Sequence, residues 1–282
     1  MDVRRFEDPE VFAVRALDRL RRDPGRHSIF FSILDTLRNH PEVYPSYVLL
    51  TAEDEGEVMG VAIRTAPYMV LVARPENDAA LAVLATAMQA LVPDAPGVVG
   101  ARPEADAFAA RWIEDRGGSL HVENRQGTFE LTEVRSLGDA PGTMRIGGVD
   151  DVELIDAWQV AFLREAMPGH PADDAHRQRQ LDGLLRTGAF RLWENGATPV
   201  SMCGVHQAPP IGARIGPVYT PPELRGRGYA TALVAAASRQ QLDAGRPACY
   251  LNTDLSNPTS NAIYQRIGYE WVCEAIDLRF VP

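Results

Sequence analysis

The chain has 282 residues, 45% of them hydrophobic and 23% charged, a balance that describes a soluble globular protein long enough for two domains of ordinary size. No apolar run approaches the ~20 residues that span a bilayer, and the N-terminal Met1-Asp2-Val3-Arg4-Arg5-Phe6-Glu7-Asp8 lacks a signal peptide's apolar core, so a cytoplasmic protein with no membrane partner is expected. A formal net charge of −10 argues against general nucleic-acid binding and suits a cationic partner or simple solubility, while three cysteines without paired spacing agree with a reducing compartment.

Periodicity in the first half predicts helices over 9–21 and 28–38, a strand over 47–52, a turn at 53–56 and strands over 57–64 and 68–73. A helix over 76–91, a strand over 97–101, a helix over 103–115 and strands over 119–123 and 127–133 follow. Gly and Asp cluster around Pro141, which marks a linker over 137–148. The second half reads as helices over 150–166 and 173–186 and a strand over 189–194, then an Asn195-Gly196 hairpin turn and strands over 199–207 and 213–220. A loop and helix, a strand over 248–253, another helix and a final strand complete it. Both halves share one order of elements, which is read as a structural repeat with domains over 1–136 and 149–282. The expected fold class is α/β, each domain a mixed, mostly antiparallel sheet flanked by helices.

The stretch Gly216 to Thr231 is a strand, a Gly-rich turn and a helix start in succession. Gly226 and Gly228 let the backbone approach an anion, Arg225 and Arg227 add charge, and the first turn of the helix presents its N–H groups through Tyr229, Ala230 and Thr231. A Walker loop is excluded by the absence of lysine, and a dinucleotide fingerprint by Thr231 at the third glycine position. What remains is either an anion cradle or a Gly-rich turn capping an ordinary helix.

A second motif follows the strand over 248–253. Asn257 is a good N-cap, Pro258 a good first helical residue and Gly268 a natural stop. Asn257, Asn261 and Tyr264 fall at i, i+4 and i+7, so two amides and a phenol share a face.

Arg225, Gly228 and Ala230 match Arg/Gln-x-x-Gly-x-Gly/Ala, and Asn257, Asn261, Tyr264 and Gly268-Tyr269 match Asn-x-x-x-Asn-x-x-Tyr-x-x-x-Gly-aromatic. Together they resemble the GCN5-related N-acetyltransferases. The resemblance implies acetyl-CoA as acyl donor, without a metal, and direct attack by an amine of a small molecule or peptide. It implies that Asn257 and Asn261 meet the coenzyme and that Tyr264 protonates the departing thiolate. Backbone N–H groups around Val218, Tyr219 and Thr220 are expected to meet the pantetheine arm or the thioester oxygen. The strands before the cradle and before the tyrosine helix are expected to splay apart, with Gly216-Pro217 bending the first.

The general base stays open among Asp254, His206, Glu194 and ordered water. Glu165, Met167, His170, Asp173 and Asp174 lie in the connection that forms an acceptor wall in this family. Cys203, Cys249 and Cys273 sit in apparent strands and are read as buried structural thiols. In the first half, Val72 to Ala80 has no glycine turn, and 103–112 has neither the tyrosine nor paired asparagines, so one coenzyme site per chain is expected. A non-catalytic acyl-CoA sensor and an interaction scaffold are the alternatives from other classes.

Overall fold

The computed structural model describes residues 1–136, 140–166 and 174–281. Contacts divide the chain into two units, one of Met1–Thr128 with Val272–Pro282 and one of Phe129–Trp271. The sequence reading assigns 149–282 entirely to the second domain, whereas most of the final strand counts with the first unit. No helix among the described residues is long and apolar enough to cross a membrane.

In the first unit β1 (Asp2–Phe6) is followed by α1 (Pro9–Leu20), α2 (Ser28–Asn39), β2 (Tyr47–Asp54), β3 (Glu57–Thr65) and β4 (Val70–Val72). Next come α3 (Asp78–Leu91), β5 (Gly97–Ala101), α4 (Glu104–Arg116) and β6 (Ser119–Leu131). Asp8 caps α1 by accepting from the Glu10 N–H at 2.7 Å, with Pro9 at the first helical position. Strands β1, β2, β3 and β4 pair antiparallel in that order, and β4 pairs parallel with β5. Leu50, Val72, Leu84 and Phe108 are packed in one apolar cluster with Trp112. Each such side chain is worth roughly 1.5–3 kcal/mol of transfer free energy.

The second unit contains β7 (Thr143–Ile146), α5 (Val152–Ala166), α6 (Asp174–Arg186), β8 (Phe190–Asn195), β9 (Thr198–Ala208) and β10 (Gly212–Tyr219). Then follow α7 (Tyr229–Asp243), β11 (Cys249–Asp254), α8 (Pro258–Ile267) and β12 (Glu270–Val281). β7, β8, β9 and β10 pair antiparallel in order, and β10 pairs parallel with β11. Alternation along the strands sends side chains to two faces. Val205, Ile215 and Leu251 pack with Leu233 and Val234 of α7 and Tyr264 of α8. On the other face Phe190, Leu192, Met202 and Tyr219 pack with Ile155 of α5 and Leu181 of α6. β12 returns to the first unit, where it pairs antiparallel with β5 from Ala275 opposite Ala101 to Arg279 opposite Gly97. A Cβ on Gly97 would lie 2.2 Å from the Leu278 carbonyl oxygen, so that strand position admits glycine alone.

The fold class is the expected one, and the differences lie at strand edges. β1 and β7 escaped the sequence reading because they lack an apolar alternation: Phe6 is the one buried side chain of β1, and β7 buries none fully. β6 is one strand, where two were expected over 119–123 and 127–133. Asn124 and Gln126 are partly buried and Arg125 is exposed, so three polar residues interrupt the apolar pattern while the backbone stays extended.

Candidate functional site

β10 and β11 are neighbours at Ala213 with Cys249 and Arg214 with Tyr250, and beyond these pairs β10 runs on to Tyr219 and β11 to Asp254. The register of β10 against β9 slips between Ile215 and Val218, at Gly216 with φ +140° and Pro217, which has no N–H. The register slip falls at the expected position, where proline removes a ladder donor. Val218 and Tyr219 resume pairing with Cys203 and Met202. Ser201, buried beneath this segment, lies 3.1 Å from the Tyr219 carbonyl and 2.9 Å from the Thr220 hydroxyl, which fixes the strand's end.

A short 3-10 turn, Pro222–Leu224, leads to extended Arg225 and then Gly226 at φ +77° and Gly228 at φ +82°. Gly228 is the N-cap of α7 in the left-handed region and offers no side-chain cap. Among the described residues no partner is found for the N–H groups of Gly226, Arg227 and Gly228. A Cβ on Gly226 would meet nothing within 4 Å, so the loop borders open space. Unpaired donors and the positive end of the helix dipole meet there. The cradle's side chains are held back by their own unit. Arg225 donates to the Thr220 carbonyl at 2.8 Å and to Glu165 at 2.6 Å, with its guanidinium 5.7 Å from the Tyr219 ring centre. The Tyr219 hydroxyl donates to the other oxygen of Glu165 at 3.2 Å. Burial, then the Glu165 charge, raises the pKa of this phenol. Arg227 reaches the Glu223 carbonyl at 3.3 Å, and the buried Tyr229 ring accepts from Asn195 at 3.0 Å through its hydroxyl. Ala230 and Thr231 lie in the first turn of α7.

At α8 the Asn257 side chain accepts from the Ser260 N–H at 3.1 Å, the N-cap the sequence predicts. Asn261 donates to the Asp254 and Leu255 carbonyls at 3.2 and 3.4 Å, and its own amide oxygen is buried without a partner among the described residues. The two amides thus lock the turn between β11 and α8. Tyr264 lies in the core cluster, 6.1 Å from the Tyr269 ring centre, and its hydroxyl has no hydrogen-bond partner among the described residues. Burial, and then the Cys203 sulfur, pushes its pKa above the ordinary value.

The four candidates for the base differ in their surroundings. Asp254 accepts from the Ser256 N–H at 2.7 Å as a turn residue. Glu194 accepts from Arg145 at 2.7 Å, and the same guanidinium also holds Asp151. Burial and then the Arg214 charge lower the His206 pKa to about 4, keeping it neutral. Arg214 donates to Asn252 at 3.0 Å, and burial lowers its pKa to about 10. Of the acceptor-wall residues, Glu165 is placed as above, whereas Met167, His170, Asp173 and the Asp174 side chain lie outside the described residues. Cys203, Cys249 and Cys273 are buried thiols, the first two with pKa raised to about 12 by burial.

In the first unit the corresponding helix start is closed by its own residues. Asn77 caps α3 at the Ala80 N–H, 3.1 Å away, and Glu76 pairs with Arg19 and Arg22. Ser201 and the Glu165 contact to Arg225 were not legible as partners of the cradle, because each joins residues far apart in sequence.

Residues 153–269 match the model of the Acetyltransferase (GNAT) family. No curated protein matches the chain. Among solved structures, a Drosophila protein superposes with TM-score 0.71 at 13% identity, covering 99% of this chain and 98% of its own. A GCN5-related N-acetyltransferase from Sphaerobacter thermophilus gives 0.63 at 16% identity, with 99% and 96% covered. A tandem GNAT protein from the clavulanic acid biosynthesis pathway gives 0.59 at 13% identity, with 98% and 97% covered. At these identities the similarity speaks for the fold.

Proposed function

We propose that the chain moves an acetyl group from acetyl-CoA to a primary amine of a small molecule or peptide, a reading supported by the match of residues 153–269 to the Acetyltransferase (GNAT) family model. The observation that supports this reading most is the turn at Gly226 to Gly228, with its unpaired N–H groups among the described residues, following a β10 whose pairing with β11 ends at Arg214 and Tyr250. The cradle's N–H groups and Arg225 and Arg227 would hold the diphosphate, and Asn257 and Asn261, whose side chains set the turn before α8, would border the coenzyme arm. The N–H groups of Val218, Tyr219 and Thr220 stabilise charge on the thioester oxygen as the neutral amine attacks. The C–N bond forms as the C–S bond breaks, and Tyr264 passes its proton to the leaving sulfur. Burial raises the phenol's pKa, so it is protonated throughout the working range. The amine's proton leaves through water toward Asp254, whose carboxylate accepts from the Ser256 N–H and pairs with no arginine among the described residues. Glu194, neutralised by Arg145, and weakly basic His206 are poorer choices.

A titration of acetyl-CoA followed by thermal shift tests the donor; no stabilisation at saturation removes this reading. A screen of polyamines, aminoglycosides, amino acids and peptide N-termini with thiol-release detection then identifies the acceptor. Tyr264→Phe is expected to bind acetyl-CoA normally and to lose at least about tenfold in kcat, about 1.4 kcal/mol in the barrier. Unchanged turnover would remove the general-acid role. Binding without turnover on any amine favours the sensor instead. Asp254→Asn is expected to lower kcat several-fold; an unaltered kcat points to water alone.

A further inference from the structure

We propose that Gly204 and His206 of β9 are positioning residues: they hold the Gly216 carbonyl inside the bulge of β10 and thereby aim the N–H groups that follow at the donor's thioester oxygen. The inference rests on the acetyltransferase reading and adds to it the device that shapes the thioester site.

The pairing itself shows the extra residue. Ile215 faces Val205 and Val218 faces Cys203, so Gly216 and Pro217 together stand opposite Gly204 alone. A Cβ on Gly204 would lie 2.5 Å from the Gly216 carbonyl oxygen, 3.1 Å from its carbon and 3.0 Å from the His206 ring nitrogen Nε2. The first two contacts are backbone, which no rotamer change relieves. Glycine at 204 therefore lets the Gly216 carbonyl fold toward β9, and Gly216 itself takes φ +140°, where side chains are strained. His206 hydrogen-bonds the Gly216 backbone, and its burial keeps the ring neutral, so this bond does not titrate near neutral pH.

The consequence falls on the donors downstream. Pro217 has none, and pairing with β9 restarts at Val218 and Tyr219. In an antiparallel strand alternate N–H groups point away from the partner. On that side β11 pairs with β10 at Ala213 and Arg214, upstream of the bulge. The bulge thus decides which N–H of Val218 to Thr220 reaches an oxygen lying between the strands. A carbonyl oxygen is what distinguishes acetyl-CoA from CoA.

The test compares binding of acetyl-CoA and of CoA to the full chain by calorimetry, and so needs no acceptor. The wild type is expected to bind acetyl-CoA several-fold more tightly than CoA. Gly204→Ala and His206→Leu are expected to lose about five- to tenfold in acetyl-CoA affinity while CoA affinity stays within about twofold, the scale of one hydrogen bond. His206→Gln, which retains a donor, is expected to restore most of the difference. Retained CoA binding reports an intact cradle, and if Gly204→Ala fails to fold the two His206 variants carry the comparison. Equal wild-type affinity for the two ligands, parallel loss of both in the variants, or identical behaviour of His206→Leu and His206→Gln overturns the proposal. A wild type that binds neither ligand overturns the acetyltransferase reading instead.

Discussion

Glu165 is the residue whose position says most about the cradle. Its carboxylate takes both the Arg225 guanidinium, at 2.6 Å, and the Tyr219 hydroxyl, at 3.2 Å. On the proposed reading, an incoming diphosphate would compete with it for Arg225. Both partners of the ion pair are substantially exposed, so the contact is worth at most about 1 kcal/mol. Glu165→Gln is therefore expected to tighten acetyl-CoA binding by about two- to fivefold at low salt, with the gain shrinking as salt rises. Weaker binding would show that Glu165 supports the cradle instead of competing for it. The residue was legible as an acid in an acceptor wall, but its hold on Arg225 was not, since sixty positions of chain separate the two.

At the scale of elements, the loop before α7 and the turn before α8 were legible because their requirements sit in adjacent residues. Gly226 and Gly228 occupy left-handed conformations that L side chains resist, and Asn257 caps the helix it begins. Gly226→Ala meets no neighbour within 4 Å, so its cost comes from the backbone alone. It is expected to lower stability by about 1 kcal/mol, read as a lower urea midpoint with an unchanged slope. Acetyl-CoA is expected to recover part of that loss if the cradle keeps its shape on binding. A neutral substitution would show that the loop relaxes into another conformation. β1, β7 and the middle of β6 stayed hidden for the opposite reason. Their backbone bonds are made to distant strands, and their mostly polar side chains leave no periodic trace.

Across the whole molecule the two units carry different buried titratable groups, and this sets their response to acid. His27 in the first unit gives its Nδ1 to the Leu20 carbonyl at 2.9 Å and takes the Arg74 N–H on Nε2 at 3.0 Å, and burial lowers its pKa to about 4. His206 in the second unit is lowered to about 4 as well. Between pH 6.5 and about 4 the unfolded chain binds these protons and the folded chain does not, so each histidine's contribution is full above pH 6.5 and declines as pH falls. Asp277 in the first unit acts in the opposite sense. Burial and then the Glu123 charge raise its pKa to about 7, so the folded state holds a proton that the unfolded state releases above its ordinary 3.8. The two slopes nearly cancel in the first unit. The second unit is expected to lose up to about 1.4 kcal/mol per pH unit over this window. Urea unfolding at pH 7 and 5, followed with a spectroscopic probe placed in each unit, checks this. Asp277→Asn is expected to make the first unit acid-sensitive too, and equal sensitivity of both units in the parent chain contradicts the assignment.

The sequence by itself determined the shared order of elements, the Gly-rich turn over Arg225 to Thr231, the capped helix bearing Asn257, Asn261 and Tyr264, and the missing glycine turn over Val72 to Ala80. These follow from local rules: which residues accept φ above zero, cap a helix or keep a 3.6-residue period. Only the tertiary structure decided that Glu165 grips Arg225, that Ser201 ties down the end of β10, and that Gly204 and His206 hold its bulge. It also decided that residues from Val272 onward complete the first unit. Each of these depends on which distant strands become neighbours, which is set by the packing of the whole sheet and is written in no single stretch of chain.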